Sequence, residues 1–561
     1  MHHIDLAIFI LYMIAMLLVG FYFLRKNESG DDYYVGGRNM TSWHIGLSVV
    51  ATDVGGGFSI GLGGLGFTMG LSGSWMLFTG MLGAWLAAVF LIPKVKSNSH
   101  FAHFHTFPEI FKHYYGAKVA LIAGIISAIG YIGFTSSQIL AGAKLAGGVF
   151  EGLEISTALW IMGIIAVVYT VMGGIKAVIY TDTFQWILLL SGLIFIGIPI
   201  AFFAVGGAAT PELANLFQPS WLLENGRESW AAINRNLPEG FLSLGAVRPT
   251  QFINWMITII PIWFIGMTLY QRIYACRDEK TAKKAWYIAG FFEWPVMAFM
   301  GVILGMLARV ALAEGLFDHL IAANESLDPE TAMPMLLSTV LPVGLMGLMM
   351  SAYFSAVLST ADSCLMAASG NILTDIFGNV KKIDPNHKKT FRWSQVLTLI
   401  VGAIALMIAY AITEVLELML LSYAFMVSGL LVPLIGALFF KQRDAYAAGA
   451  AMIGGGSLTV LLSYFSVHFS RADSQSVLLE KATRIQALYP EVKKHLAQET
   501  PSANELYQLL ESNLANDKVV AIANWSFKLP LNLDANIFGL LFATLLYFSI
   551  IKIRLNLKKN K

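Results

Sequence analysis

The stretch VVATDVGGGFSIG, Val49 to Gly61, decides the fold, because it sets a carboxylate and three consecutive glycines inside an apolar run. A glycine costs about 1 kcal/mol in a helix interior, and a carboxylate at the bilayer centre costs at least about 2.5 kcal/mol. Both are tolerated where the backbone is screened from lipid and lines a cavity. An unwound segment there frees carbonyl oxygens for a small cation, while the half-helix ends point their dipoles at a solute. Close helix packing accounts for glycines in general, but not for Asp53 just ahead of Gly55, Gly56 and Gly57. The stretch therefore reads as a broken membrane helix that builds a site.

The surroundings agree. Of 561 residues, 57% are hydrophobic and 13% charged, with a mean hydropathy of +0.66, against about 25% charged in soluble domains. A formal net charge of +2, with no basic stripe, argues against nucleic acid as a partner. Cys276 and Cys364 are too few for a disulfide framework and read as buried or cytosol-facing thiols. The opening MHHIDLAIFILYMIAMLLVGFYFLRK lacks a basic leader and a small-residue cleavage site, so a retained first span is expected.

A span needs about 20 mostly apolar residues. Thirteen candidates follow, near 5–25, 43–70, 73–93, 119–150, 155–173, 178–206, 250–272, 284–313, 335–377, 391–413, 415–440, 446–468 and 534–553. Every second loop carries the basic residues: Arg25, Lys26 and Arg38; Lys94 and Lys96; Arg272, Arg277 and Lys280; Lys381 and Lys382; Lys441 and Arg443; then the tail KIRLNLKKNK. The charge rule thus expects a multi-pass cell-membrane protein with its N-terminus outside and its C-terminus in the cytoplasm.

Five spans after the broken one comes NWMITIIPIWFIGMTLYQR, interrupted by Pro261 and Gly266. Paired interruptions in two five-helix units of opposite topology mark the sites of secondary transporters. The organisation expected is a first helix and internal loop (1–42), a first unit (43–206), an external loop (207–249) and a second unit (250–440). Helix 12 (441–468), an external polar helical insert (469–533) and a last helix with a basic tail (534–561) follow. The fold class is all-α integral membrane.

Five motifs then carry a resemblance. They are YYVGGRNM, ATDVGGG, YTVMGGIKAVIYTDTFQ, YQRIYACRDEKTAKKA and FSAVLSTADSCLMAASGNILTDIF. In this order and at these spans they resemble the sodium/solute symporter family, carriers of proline, pantothenate, sugars, sialic acid and choline, over roughly residues 5 to 465. The resemblance implies a LeuT-like core of two inverted repeats with broken first helices, sodium as coupling ion and no enzymatic activity. VGGR followed by AT-x-VGGG looks most like the choline carriers, which have tryptophan where Asp53 stands. Carried over by motif, the sodium ligands are the carbonyls of Ala51, Val54 and Ala356 and the hydroxyls of Ser359 and Thr360. A hard cation wants oxygen ligands, and Ala356, Ser359 and Thr360 share one helical face. The resemblance also offers a second sodium site from Asp182, Asp362 and Ser363 with Thr360. Asp362 is an extra carboxylate that strengthens a cation site or accepts a proton, and Asp182 also reads as a helix N-cap.

The solute is expected beside the break, among Asp53, Gly55, Gly56, Thr135, Ser136, Gln138, Trp255, Trp263 and Tyr423. Against this, serine and threonine often bond the preceding turn, and the tryptophans read equally as packing. Glu293 lies inside span 8, and an intramembrane carboxylate is functional by default. With Asp53 it points to a solute bearing an amino group, or it pairs with a basic side chain. Lys144 and Arg309, near external helix ends, read as snorkelling. His100, His103 and His105 fit no firm metal-ligand spacing. The function expected is sodium-coupled import of a small amino-group-bearing or carboxylate solute rather than a sugar. A proton-coupled carrier and a transporter-like membrane sensor are the alternatives. The sensor reading would want a fused signalling domain, and the chain stops about eight residues past its last span. No hydrolase or phosphate-loop motif appears at membrane depth, and the oligomeric state is left open.

Overall fold

The computed structural model describes residues 2–26, 35–150, 152–207, 218–320, 327–378, 388–412, 414–468 and 529–559. Most of the external insert, 469–528, lies outside the described residues.

The helical passages run in chain order as α1 (His3–Lys26), α2 (Ser42–Met69), α3 (Trp75–Leu86, carried on to Lys96), α4 (Ala117–Gly147), α5 (Ile155–Val171) and α6 (Val178–Ala204). Then come α7 (Pro249–Ile265 with Met267–Ala275), α8 (Glu279–Ala313), α9 (Leu345–Asn371), α10 (Lys388–Ala411), α11 (Val415–Phe439), α12 (Ala445–His468) and α13 (Ala535–Lys559). Among the described residues, eight apolar runs are long enough to cross a membrane, and the bent pair of α7 makes a ninth. One of the eight, Ser42–Lys96, holds both α2 and α3, which part at the turn Gly70–Ser74.

Hydrogen bonding carries α5 into α6 without interruption over Ile155–Gly192, where the sequence suggested a loop. The run nonetheless bends sharply. The Tyr169 hydroxyl lies 3.4 Å from Thr181 Oγ1, whereas a straight helix would separate twelve residues by about 18 Å.

Span 9, expected over 335–377, is two helices. Pro329–Val340 stops before Pro342, and α9 starts after Gly344, whose φ of +90° favours glycine. Asp5 of α1 caps the new helix by accepting from the amides of Gly344 (2.7 Å) and Gly347 (2.8 Å). Every residue of α9 except Leu345 and Leu348 is buried. That explains how a helix rich in serine and carrying Asp362 sits at the centre of a membrane fold. The expected external loop 207–249 carries a further helix, Pro219–Asn236.

Lys144 does not snorkel. It is 2% exposed, and its ammonium lies 2.7 Å from both Asp328 and Glu330 and 3.8 Å from Glu414. Glu330 in turn accepts from the amides of Val415 and Leu416, each at 3.0 Å, at the start of α11. One cation thereby ties α4, Pro329–Val340 and α11 together. Arg309 instead bonds the Phe67 carbonyl (3.0 Å) and stacks over the Phe241 ring (5.0 Å).

Breaking a buried pair strands its partner, at a cost of about 3–5 kcal/mol. Lys144→Met is therefore expected to lower the apparent unfolding temperature of the purified protein sharply. Arg235→Ala, which removes a solvent-exposed pair with Glu314, is expected to change stability by under about 1 kcal/mol. Differential scanning fluorimetry on both variants checks the contrast.

Candidate ion and substrate site

α2 is broken at Gly55, whose φ of +40° and ψ of −167° belong to no helix. Two constraints require glycine there. The dihedral disfavours any side chain, and a Cβ would stand 2.1 Å from Thr360 Oγ1 of α9. At Gly56 a Cβ would meet Val357 Cγ2 at 2.2 Å. The glycines thus let α9 press directly on the break. The freed amide of Gly57 donates to Gln138 Oε1 of α4 at 3.0 Å.

α7 breaks in the same manner, but at Gly266 alone. Pro261 is carried inside the first limb, Gly266 is extended (φ −67°, ψ 115°), and the limbs meet at 42°. The amide of Thr268 donates to the Tyr131 hydroxyl at 3.2 Å. Gln138 and Tyr131 are seven residues apart, on one face of α4. One helix therefore supplies the missing partner at both breaks.

Three of the five oxygens expected to hold sodium meet beside Gly55. Thr360 Oγ1 lies 3.2 Å from the Ala51 carbonyl and 3.2 Å from the Ala356 carbonyl. Ser359 Oγ, buried, makes no hydrogen bond of normal geometry, though it lies within electrostatic reach of Asp182. Val54 is buried on the same stretch of α2. Ligands about 2.4 Å from one hard cation stand roughly 3.4 Å apart, close to the two spacings that Thr360 makes.

The residues offered for a second sodium divide. Asp182 Oδ2 accepts from Ser48 Oγ (2.5 Å) and Arg272 Nη2 (3.3 Å). Arg272 also reaches Ser48 (3.0 Å), Ser363 (2.9 Å), the Thr268 carbonyl (3.1 Å) and Thr52. Its guanidinium, expected in a cytoplasmic loop, is wholly buried. It joins α7 to α2, α6 and α9. Sequence reasoning missed it because YQR ends an apolar run, where an arginine reads as an anchor. Ser48 and Thr52, four residues apart on α2, were the available hint of a polar face awaiting a partner. Asp362 points elsewhere: one oxygen accepts from Thr170 of α5 and the other has no partner among the described residues.

On another side of α2, the segment of α8 that starts at Glu293 packs against the broken helix, which brings the Glu293 carboxyl within interaction range of Asp53. Gly80 of α3 makes the room, since a Cβ there would stand 2.2 Å from Glu293 Oε2. One turn on, Gly83 accommodates Trp263, whose Cδ1 would lie 2.4 Å from a Cβ. Tyr423 packs edge-on to Phe134 at 4.9 Å and lies within electrostatic reach of Asp53 and Glu293. Thr135 and Ser136 bond carbonyls of their own helix, each at 2.8 Å. Trp255 is buried two turns before Trp263.

The sodium:solute symporter family model matches residues 33–455. The chain belongs to that family. The high-affinity proline transporter of Bacillus subtilis is 26% identical over 461 residues, covering 80% of this chain and 89% of its own length. The human sodium/myo-inositol cotransporter 2 is 28% identical over 397 residues, covering 67% of this chain and 57% of its own. A Na+-coupled sialic acid symporter, solved substrate-bound and outward-open, superposes with a TM-score of 0.64 at 20% identity over 82% of this chain and 92% of that one. That likeness shows the fold. Like its relatives, this symporter-family chain is an integral membrane transporter and not an enzyme.

Gly55→Ala is expected to cost more than about 2 kcal/mol, combining overpacking with an unfavourable backbone. It is also expected to abolish any sodium-dependent stabilisation. Gly449→Ala, where a Cβ would meet only Ile122 Cδ1 at 3.7 Å, is expected to be neutral. Gln138→Leu, which strands the Gly57 amide, is expected to cost about 1–3 kcal/mol. Unfolding temperatures with and without sodium test all three.

Proposed function

We propose that the chain imports a small organic solute with sodium by alternating access. The ion is held by the carbonyls of Ala51, Val54 and Ala356 with the hydroxyls of Ser359 and Thr360. The supporting observation is the Thr360 hydroxyl set between the Ala51 and Ala356 carbonyls, against the Gly55 break. The N-terminus lies outside and the C-terminus in the cytoplasm. Sodium entering from outside bridges α2 and α9 and steadies the broken segment. The solute then docks on the Asp53 side of α2, and one five-helix unit rocks against the other. The solute is an amino-group-bearing or carboxylate compound rather than a sugar, and the paired carboxyl groups support the amino-group alternative. Membrane potential suffices as a drive: one charge crossing about 100 mV yields about 2.3 kcal/mol, or roughly a 40-fold gradient at about 1.4 kcal/mol per decade.

Asp182 and Ser363 are engaged by Arg272, whose guanidinium supplies the positive charge that a second ion would bring. Asp362, with one oxygen free, favours a proton as the competing coupling ion.

The test is uptake of labelled proline, myo-inositol and sialic acid into proteoliposomes under an imposed sodium gradient. Accumulation is expected to follow sodium and to collapse with a sodium ionophore. Accumulation driven by a pH gradient without sodium would overturn sodium coupling. Thr360→Ala and Ser359→Ala are each expected to raise the sodium concentration for half-maximal stabilisation about tenfold, equivalent to about 1.4 kcal/mol.

A further inference from the structure

The carboxyl groups of Asp53 and Glu293 are brought within interaction range where α8 packs on α2, and no ion pair among the described residues supplies either with a counter-charge. Both side chains are buried, Glu293 completely. Apart from each other, Asp53 Oδ2 and both Glu293 oxygens meet no hydrogen-bond donor among the described residues. The other buried charges nearby are handled differently. Arg272 holds Asp182, and Lys144 is enclosed by Asp328 and Glu330. A buried carboxylate is normally paired or heavily hydrogen-bonded, because desolvation costs several kcal/mol per ion. This pair stands open by contrast.

The pair is also separate from the oxygen set proposed for sodium. Thr52, Gly55 and Gly56 turn toward α9, where Ser363, Thr360 and Val357 meet them. Asp53 instead interacts with Glu293 of α8, whose carboxyl lies against Gly80 of α3. The chemistry differs as well. Neutral carbonyl and hydroxyl oxygens suit a hard alkali ion, whereas two acid groups from different helices suit a ligand with positive charge and several N–H donors. The aromatic side chains of Tyr131 and Tyr423, within electrostatic reach of Asp53, add surfaces that attract a cation. Glu293 reaches this position only because residue 80 has no side chain.

We propose that Asp53 and Glu293 together seat the protonated nitrogen of the transported solute, so that the solute carries a primary or secondary ammonium. Two N–H bonds of one nitrogen bridge the two carboxyl groups, linking the broken helix to α8 as the solute binds. The inference rests on the carrier reading above and narrows it, removing sugars and simple carboxylates from the solutes expected.

The experiment uses the full-length purified protein in saturating sodium and reads unfolding temperature against methylammonium, L-proline, D-glucose and propionate. At least one of the two ammonium compounds is expected to stabilise, with glucose and propionate without effect. Glu293→Gln is expected to weaken that stabilisation at least tenfold in half-maximal concentration, its response to sodium serving as the check that it is folded. Should that variant not fold, Gly80→Ala, which crowds the Glu293 carboxyl and leaves its charge, is expected to weaken ammonium binding likewise. Stabilisation by glucose or propionate alone, no response to either ammonium compound, or an undiminished response in the folded variant would each overturn the proposal. Failure of the wild-type protein to respond to sodium at all would instead sink the sodium-carrier reading.

Discussion

A backbone amide or carbonyl freed inside a membrane has no water to bond, and this requirement governs the fold. Two helices are broken at mid-length, at Gly55 and Gly266, and each break exposes groups that lipid would not tolerate. α4 meets the demand on one face. Gln138 takes the Gly57 amide and Tyr131 takes the Thr268 amide. α9 meets it on another, with Thr360 donating toward the Ala51 carbonyl beside the α2 break. The breaks are thus properties of the bundle and not of the two helices alone. Sequence determines where they occur, through glycine, and neighbours determine that they persist.

The same logic sorts the buried charges. Asp5 is satisfied by two amides at a helix start, Lys144 by two carboxylates, and Arg272 by a carboxylate, three hydroxyls and a carbonyl. These groups fasten helices: α1 to α9, α4 to α11, and α7 to α2, α6 and α9. Asp53, Glu293 and Asp362 retain oxygens without donors, as does Asp182 at Oδ1. Asp182 is nonetheless held by Arg272, whereas no ion pair among the described residues reaches Asp53, Glu293 or Asp362, so uncompensated electrostatic demand gathers at those three.

Much of this was legible in the chain. The glycine run with Asp53 forecast a broken second helix, the five-span interval forecast its echo, and the motif order forecast the family. Other features were hidden for definite reasons. Pro261 looked like a breaker, but proline is accommodated in a long apolar helix while Gly266 takes the extended dihedral. Span 9 was read too long, because Pro342 and Gly344 interrupt an apolar run without changing its hydropathy. Arg272 and Lys144 resembled membrane anchors, since position along a helix says nothing about which face meets a carboxylate. Gln138 and Tyr131 lie in plain view, yet their partners are backbone amides more than eighty residues distant, and no local pattern announces a long-range cap.

The geometry at Thr360 also bears on why ion and solute would be coupled in the proposed cycle. A hydroxyl has one hydrogen to donate, yet Thr360 stands 3.2 Å from two carbonyls, Ala51 on α2 and Ala356 on its own helix. Its single hydrogen cannot serve both at once. A cation placed between them attracts both carbonyls and the hydroxyl lone pairs together. Binding thereby fastens α2 to α9 at the residue where α2 is weakest. Asp53 lies two positions from Ala51 and two from Gly55, so its orientation toward Glu293 depends on how that segment is held. An ion that fixes the backbone at Ala51 fixes the carboxyl pair with it. Coupling then needs no long-range pathway, only a broken helix whose two faces serve two ligands.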